Sequence, residues 1–208
     1  MKIGIIGGTF DPIHNGHLHL ARTALTQFDL DQIWFMPNGM PPHKKQSSIE
    51  SDIHERIAMT RIAIKANKQF YLQEYEAKRE KVSYSYKTME HFRKIYPDDE
   101  FYFIIGADSL FSIETWKHPE RLFKACIILA ACRDEAATKE SLNGQIQMLK
   151  GKYGAYIKFL AMPLEHVSSH EIRKLIESGE PVSEYIPAEV EAYIRKEGLY
   201  GSGNRKNQ

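Results

Sequence analysis

The sequence predicts an α/β fold on a doubly wound, mostly parallel sheet. Short Ile-rich or aromatic-rich runs alternate with longer segments of helical periodicity along most of the chain. Some of the short runs are apolar without a break, as in Phe101-Tyr102-Phe103-Ile104-Ile105. A strand needs that character when helices cover both faces of its sheet.

The elements follow in order. Lys2 to Gly7 reads as a buried strand ended by glycine. A glycine-bearing loop leads to a helix over about 15–28, with Leu18, Ala21, Leu25 and Phe28 at helical spacing. Gln32 to Pro37 is the next strand, and Asn38 to Ser51 is a polar loop. A helix over about 52–66 carries Ile53, Ile57 and Ile64 as its buried stripe. Then come a short strand at 70–73, a helix at 84–96 stopped by Pro97, and a strand at 101–106. A short helix at 119–124, a strand at 127–131, a helix at 139–150 and a strand at 157–160 continue the alternation. Ser169 to Ser178 and Pro187 to Lys196 read as two closing helices linked through Gly179 and Pro181. The expectation is one domain over 1–200, its helical part starting near 168, and a disordered polar tail over 201–208.

Bulk properties limit the function. A chain of 208 residues with 42% hydrophobic and 26% charged residues suits one globular domain with a buried core. Its 28 basic and 27 acidic residues leave a net charge of +1, which argues against broad nucleic-acid or membrane adhesion. Any anion site must be local. The longest apolar run, Ala125 to Cys132, is too short for a membrane span, and Met1-Lys2 leads straight into a strand with no signal-peptide pattern. The expected location is the cytoplasm. Cys126 and Cys132 share one face of a strand-like segment and read as buried, reduced thiols.

Chemistry concentrates in Gly7-Gly8-Thr9-Phe10-Asp11-Pro12-Ile13-His14-Asn15-Gly16-His17. The run follows the first strand, where doubly wound sheets place their ligands. Gly7 and Gly8 let backbone amides approach a ligand closely. The free amides and dipole of the following helix favour a phosphate. His14 and His17 are three residues apart, so one turn brings both imidazoles to one side, where each can donate to phosphate oxygens and gain charge in a phosphate field. The plainer reading is a glycine-rich turn with two capping histidines.

Two other segments invite attention. Gly106-Ala107-Asp108 ends a strand, so Asp108 either caps the next helix or binds a ligand hydroxyl. Ser168 and Glu171 have the spacing of a capping box, which leaves Arg173 unexplained. Arg173 is expected in the first turn of this helix, where a cation is disfavoured by the dipole, and a bound polyphosphate would reverse that penalty.

Gly7 to His17 resembles the signature of the nucleotidyltransferase superfamily with the His-x-Gly-His motif. From Lys2 to Tyr200 the chain resembles the bacterial nicotinate-nucleotide adenylyltransferases. That resemblance is carried by Trp34-Phe35-Met36-Pro37-Asn38 with Pro41-Pro42-His43-Lys44, by Phe103-Ile104-Ile105-Gly106-Ala107-Asp108 with Trp116, and by Val167-Ser168-Ser169-His170-Glu171-Ile172-Arg173. The family more often has Thr where Ser85 and His170 stand. The resemblance implies a Rossmann-like nucleotidyltransferase fold that transfers AMP from ATP to nicotinate mononucleotide. The products would be nicotinate adenine dinucleotide and pyrophosphate. Mg²⁺ would be carried in with ATP rather than held by a metal site of the protein, and a homodimer is compatible.

Carried over residue by residue, the resemblance implies an ATP site of Gly7, Gly8, Thr9, Phe10, His14, His17, Gly106, Asp108, Ser168, Ser169 and Arg173. His14, His17 and Arg173 would stabilise the reacting phosphates. The mononucleotide would be held by Lys44 with His43, by Ser85 and by Trp116, while Lys45 reads as a solvated surface residue. The nucleophile would be a phosphate, largely dianionic near neutral pH, so no general base is required. The rivals are transferases acting on nicotinamide mononucleotide or phosphopantetheine, and a non-catalytic nucleotide-binding regulator. An aminoacyl-tRNA synthetase is a weaker rival, because the chain lacks a Lys-Met-Ser-Lys-Ser-type loop.

Overall fold

The computed structural model describes residues 1–39, 49–79, 82–133, 136–162 and 168–202. His43, Lys44, Lys45, Val167 and residues 203–208 of the polar tail lie outside the described residues. The strands are β1 (Lys2–Gly8), β2 (Gln32–Pro37), β3 (Phe70–Leu72), β4 (Glu100–Gly106), β5 (Ile127–Arg133) and β6 (Ile157–Met162). They form one sheet in the order β3-β2-β1-β4-β5-β6, and each neighbouring pair is parallel. The expected mostly parallel sheet is thus parallel throughout. The chain runs outward from β1 to β3 and then crosses back to β4. That reversal makes the gap beyond the carboxyl ends of β1 and β4 the topological switch point, the place where such sheets bind ligands.

The helices are α1 (Asn15–Phe28), α2 (Ile53–Ile64), α3 (Ser85–Ile95), α4 (Ala107–Ser112), α5 (Pro119–Ala125), α6 (Ala136–Tyr153), α7 (Ser169–Ser178) and α8 (Ala188–Glu197). Successive strand residues point to opposite faces. Ile3 and Ile5 therefore join Phe101 and Phe103 in a core covered by Met89, Phe92, Leu122 and Leu142 of α3, α5 and α6. Ile6 joins Phe35, Tyr102 and Ile104 on the other face, under Leu18 and Met59 of α1 and α2. Ile172, Ile176, Val190 and Ile194 of α7 and α8 belong to this second core, so the C-terminal helices complete a face of the sheet. Two covered faces explain the unbroken apolar runs.

Three details differ from the expected pattern. The segment after β4 forms α4 and a 3₁₀ turn at Ile113–Thr115. Leu110 and Ile113 are its only fully buried anchors, too few to show as periodicity. In α2 the buried residues are Arg56, Met59, Thr60 and Ile64, while Ile53 and Ile57 are half-buried. This helix is apolar around much of its circumference, so hydrophobicity alone does not orient it. Cys126 closes α5 instead of opening the strand. Neither cysteine is in a disulfide, both are buried, and burial pushes the Cys126 thiol up.

Candidate functional site: a cleft at the switch point

A cleft of about 460 Å³ opens over the carboxyl ends of β1, β2 and β4. Gly7, Gly8, Thr9 and His17 of the first loop and helix line it, together with Gly106 and Ser109 after β4 and with Ser85 and Trp116. Residues from four regions expected to act together thus meet in one place. Gly106 has φ −74° and ψ 162°, a conformation open to any residue, and a Cβ there would meet nothing within 4 Å. A Cβ at Gly7 would make only ordinary contacts at 3.7 Å or more. Neither backbone nor packing requires glycine at these two positions. Close approach by a ligand would.

Gly8 is different. A Cβ there would lie 2.8 Å from the Phe10 ring, so packing demands glycine. Phe10 has φ +51°, an uncommon conformation for an aromatic residue, and its ring is buried under the loop. Only its backbone can face a nucleotide. The ring instead meets His17 edge-on, with centroids 5.0 Å apart.

His14 is the N-cap residue of α1 and His17 the third residue of the helix. Their ring centroids lie 3.8 Å apart. The backbone N–H of His14 donates to His17 Nδ1 at 3.2 Å. An accepting Nδ1 carries no proton, so His17 holds its hydrogen on Nε2. The capping reading is thus correct for one nitrogen of His17 and leaves the other a donor. His14 is buried, and its Nδ1 has no hydrogen-bond partner among the described residues. Desolvation lowers its pKa from 6.5 to about 4, so near neutral pH the fold holds it uncharged. The expected positive charge on His14 therefore requires an anion beside it.

That depression has a stability consequence. Between pH 6.5 and about 4 the unfolded chain takes up a proton at His14 that the folded chain refuses. Stability should fall as pH drops through this window, by up to about 3 kcal/mol, and be unaffected by His14 above it. Urea midpoints measured against pH for the wild type and His14→Leu should diverge in slope there. Parallel slopes would contradict the assignment.

Behind the loop sits a buried polar network. Asp11 is 2% exposed, and its carboxylate accepts from the backbone N–H of Glu50 at 2.8 Å and of Ser51 at 3.3 Å, and from the Tyr200 hydroxyl at 2.7 Å. Arg173 was expected to face the phosphates, on the ground that nothing else offset its place near a helix N-terminus. The structure corrects that argument. Arg173 is the fifth residue of α7, beyond the first turn. Its Nε donates to the Glu50 carboxylate at 2.7 Å and its Nη1 to the Asp11 carbonyl at 2.7 Å. The cation already has protein acceptors, and it lies against the loop's back rather than on the cleft wall. Ser169 likewise donates to the Pro12 carbonyl at 2.9 Å, while Ser168 and Glu171 form the expected capping box.

Asp108 lies exposed in the first turn of α4, whose N-cap is Gly106 without a side-chain bond. Of its two readings, helix capping is the one the geometry does not bear out. On the cleft wall, Trp116 is half-buried and edge-on to Phe103. Ser85 opens α3, a helix with no side-chain cap and no acidic residue in its first turn. Its backbone amides and dipole favour a carboxylate. Asn38 Oδ1 and Ser83 Oγ, both on the cleft wall, are buried without partners among the described residues. Orphaned polar atoms of this kind mark where a ligand's hydrogen-bonding groups fit.

Arg56, Glu50 and Tyr200 do not stand out in the sequence, and Asn38 and Ser83 carry no assigned contact there. Asn38 ends the Trp34-to-Asn38 run and Ser83 lies two residues before Ser85, so their place among motif residues was an available signal. Arg56, Glu50 and Tyr200 gave none, since only the fold brings them under the loop.

A parallel 3-2-1-4-5-6 sheet, with a His-x-Gly-His helix entry and glycines at the switch point, defines a nucleotidyltransferase of the cytidylyltransferase-like class. That family matches residues 5–175. A probable nicotinate-nucleotide adenylyltransferase of Clostridium kluyveri is 40% identical over 202 residues, covering 96% of this chain and 99% of its own. One from Carboxydothermus hydrogenoformans is 44% identical over 199 residues, covering 96% and 98%. The Plasmodium falciparum nicotinic acid mononucleotide adenylyltransferase complexed with NaAD shares the fold, with a TM-score of 0.78 at 22% identity over 96% of this chain and 97% of its own. The chain belongs to the nicotinate-nucleotide adenylyltransferase family.

Proposed function

We propose that ATP lies with its phosphates over Gly7, Gly8, Thr9, His14 and His17, and nicotinate mononucleotide with its ring against Trp116 and its carboxylate at the start of α3. A 5′-phosphate oxygen of the mononucleotide attacks the α-phosphorus of ATP in line. The new P–O–P bond forms as the bond to the β-phosphate breaks, and pyrophosphate departs with that electron pair. The product is nicotinate adenine dinucleotide. No side chain needs to remove a proton, because the nucleophile is already an anion. The protein supplies orientation and charge.

His17 offers its Nε2–H to the reacting phosphates. His14, uncharged in the buried pocket, becomes a cation only when phosphate oxygens are beside it, which couples its charge to occupancy. Arg173 reaches the outer phosphates by exchanging its Glu50 contact for them, with Ser168 and Ser169 at the same helix start. Asp108 binds the nucleotide's hydroxyls, Gly106 gives the nucleotide room, and Lys44 with His43 holds the mononucleotide phosphate. Mg²⁺ enters as part of the ATP substrate. Among the described residues no group of three or more His, Cys, Asp or Glu is placed to hold a metal. No helix there is long and apolar enough to cross a membrane. The site of action in this reading is the cytoplasm.

The observation that supports this reading most is the pair Gly7 and Gly106, glycines that the fold itself does not need, both lining the cleft at the switch point. Pyrophosphate release from ATP should be measured with nicotinate mononucleotide, nicotinamide mononucleotide and phosphopantetheine. The uncapped α3 start predicts at least about tenfold higher kcat/KM for the acid than for the amide. Equal use of both would remove the carboxylate from the reading. No release with any acceptor would leave a nucleotide-binding regulator.

A further inference from the structure

Three carbonyl oxygens of the phosphate loop are held from behind by donors on two helices, one on α2 and two on α7. Arg56 Nη1 donates to the Thr9 carbonyl at 2.8 Å, Arg173 Nη1 to the Asp11 carbonyl at 2.7 Å, and Ser169 Oγ to the Pro12 carbonyl at 2.9 Å. Carbonyl oxygens carry partial negative charge, so a loop that binds polyphosphate must keep them turned away. Of the three donors, Arg56 has no other evident purpose. It is the fourth residue of α2, where the dipole disfavours a cation. It is 2% exposed, and its Nε has no hydrogen-bond partner among the described residues. Among those residues no carboxylate lies within ion-pair distance of it, and the nearby Asp11 carboxylate is occupied by Glu50, Ser51 and Tyr200. A buried, unneutralised guanidinium is costly to a fold.

We infer that Arg56 is a positioning residue for adenylyl transfer, holding the Thr9 carbonyl back from the cleft and placing a positive charge directly behind the phosphate loop. This rests on the loop being the ATP phosphate site. Without Arg56 the Thr9 carbonyl is free to turn toward the phosphates, and the amides beside it lose their alignment. The burden should fall on the transfer step and leave the acceptor end, at Ser85 and Trp116, unaffected.

Arg56→Met keeps the volume and removes both charge and donor. Replacing a poorly compensated buried charge by a hydrophobic side chain is commonly neutral or stabilising. The expected result is a Tm equal to or above wild type, kcat lower by about 30-fold, and a mononucleotide KM within about twofold. Arg56→Lys, which retains the charge and a donor, should recover part of kcat. A merely structural arginine gives the opposite: lower Tm, losses that vanish on cooling, and no rescue by lysine. That outcome, or wild-type kcat in Arg56→Met, overturns the inference. His17→Ala measured alongside separates the two levels. A slow His17→Ala with a normal Arg56→Met sinks only the role of Arg56, while normal turnover in both removes the phosphate-site reading beneath it.

Discussion

Replacing His17 by alanine should lower kcat by about 10² to 10³ while nicotinate mononucleotide binding changes little. The size follows from losing one aligned donor where charge develops in the transition state. The geometry refines what else is lost. His17 Nδ1 accepts the His14 backbone N–H, so the variant also loses a helix-entry contact, costing about 1 kcal/mol of stability. It loses the edge contact to Phe10 as well. A thermal shift of a few degrees is therefore expected and does not account for the rate. His17→Gln is the informative companion, since its amide can donate and accept. Steady-state kinetics on both variants decide the matter. Turnover near wild type in His17→Ala would end the assignment of His17 to the phosphates, and a rise in mononucleotide KM with unchanged kcat would move the residue to the acceptor end.

Gly106→Leu tests the cleft without touching any side chain. The added atoms project where the fold has nothing within 4 Å of a Cβ, from a backbone conformation that leucine adopts freely. Stability should stay within about 0.5 kcal/mol of wild type, as for other surface replacements. ATP binding and turnover should fall by about 10² or more, because displacement of a reacting group by about 1 Å is enough for such a loss. Gly8→Ala should behave in the contrary way. Its Cβ would meet the Phe10 ring at 2.8 Å, so its first effect is on stability. Calorimetry with a non-hydrolysable ATP analogue, beside thermal melts, separates the two glycines. A Gly106→Leu protein that binds the analogue as wild type does would place the nucleotide elsewhere.

Much of this was readable in the residues. Phe101 to Ile105 is apolar on both faces because helices cover both, and the same burial makes any such strand visible in sequence. Gly7 to His17 was legible as the candidate phosphate loop because its parts are contiguous. The α2 orientation was not, since Ile53, Ile57 and Ile64 look like a stripe while the buried set includes Arg56 and Thr60. Helix α4 was missed because only Leu110 and Ile113 anchor it and its turn.

The sequence by itself determined the fold class, the order of the strands and of the longer helices, and the loop proposed to meet phosphates, since each is written in local periodicity or a contiguous motif. Tertiary structure alone decided three things. Arg173 rests on Glu50 and Asp11, partners 123 and 162 residues away, so its role could not be argued from its own helix. His14 is held uncharged by burial, which arises only when the loop, α1 and the second core close around it. The carbonyls of Thr9, Asp11 and Pro12 are turned back by Arg56, Arg173 and Ser169, donors from two helices far apart in the chain. Local patterns report what a segment does with its own backbone. Charge and hydrogen-bond partners depend on which distant segments share a buried volume, and only the folded chain sets that.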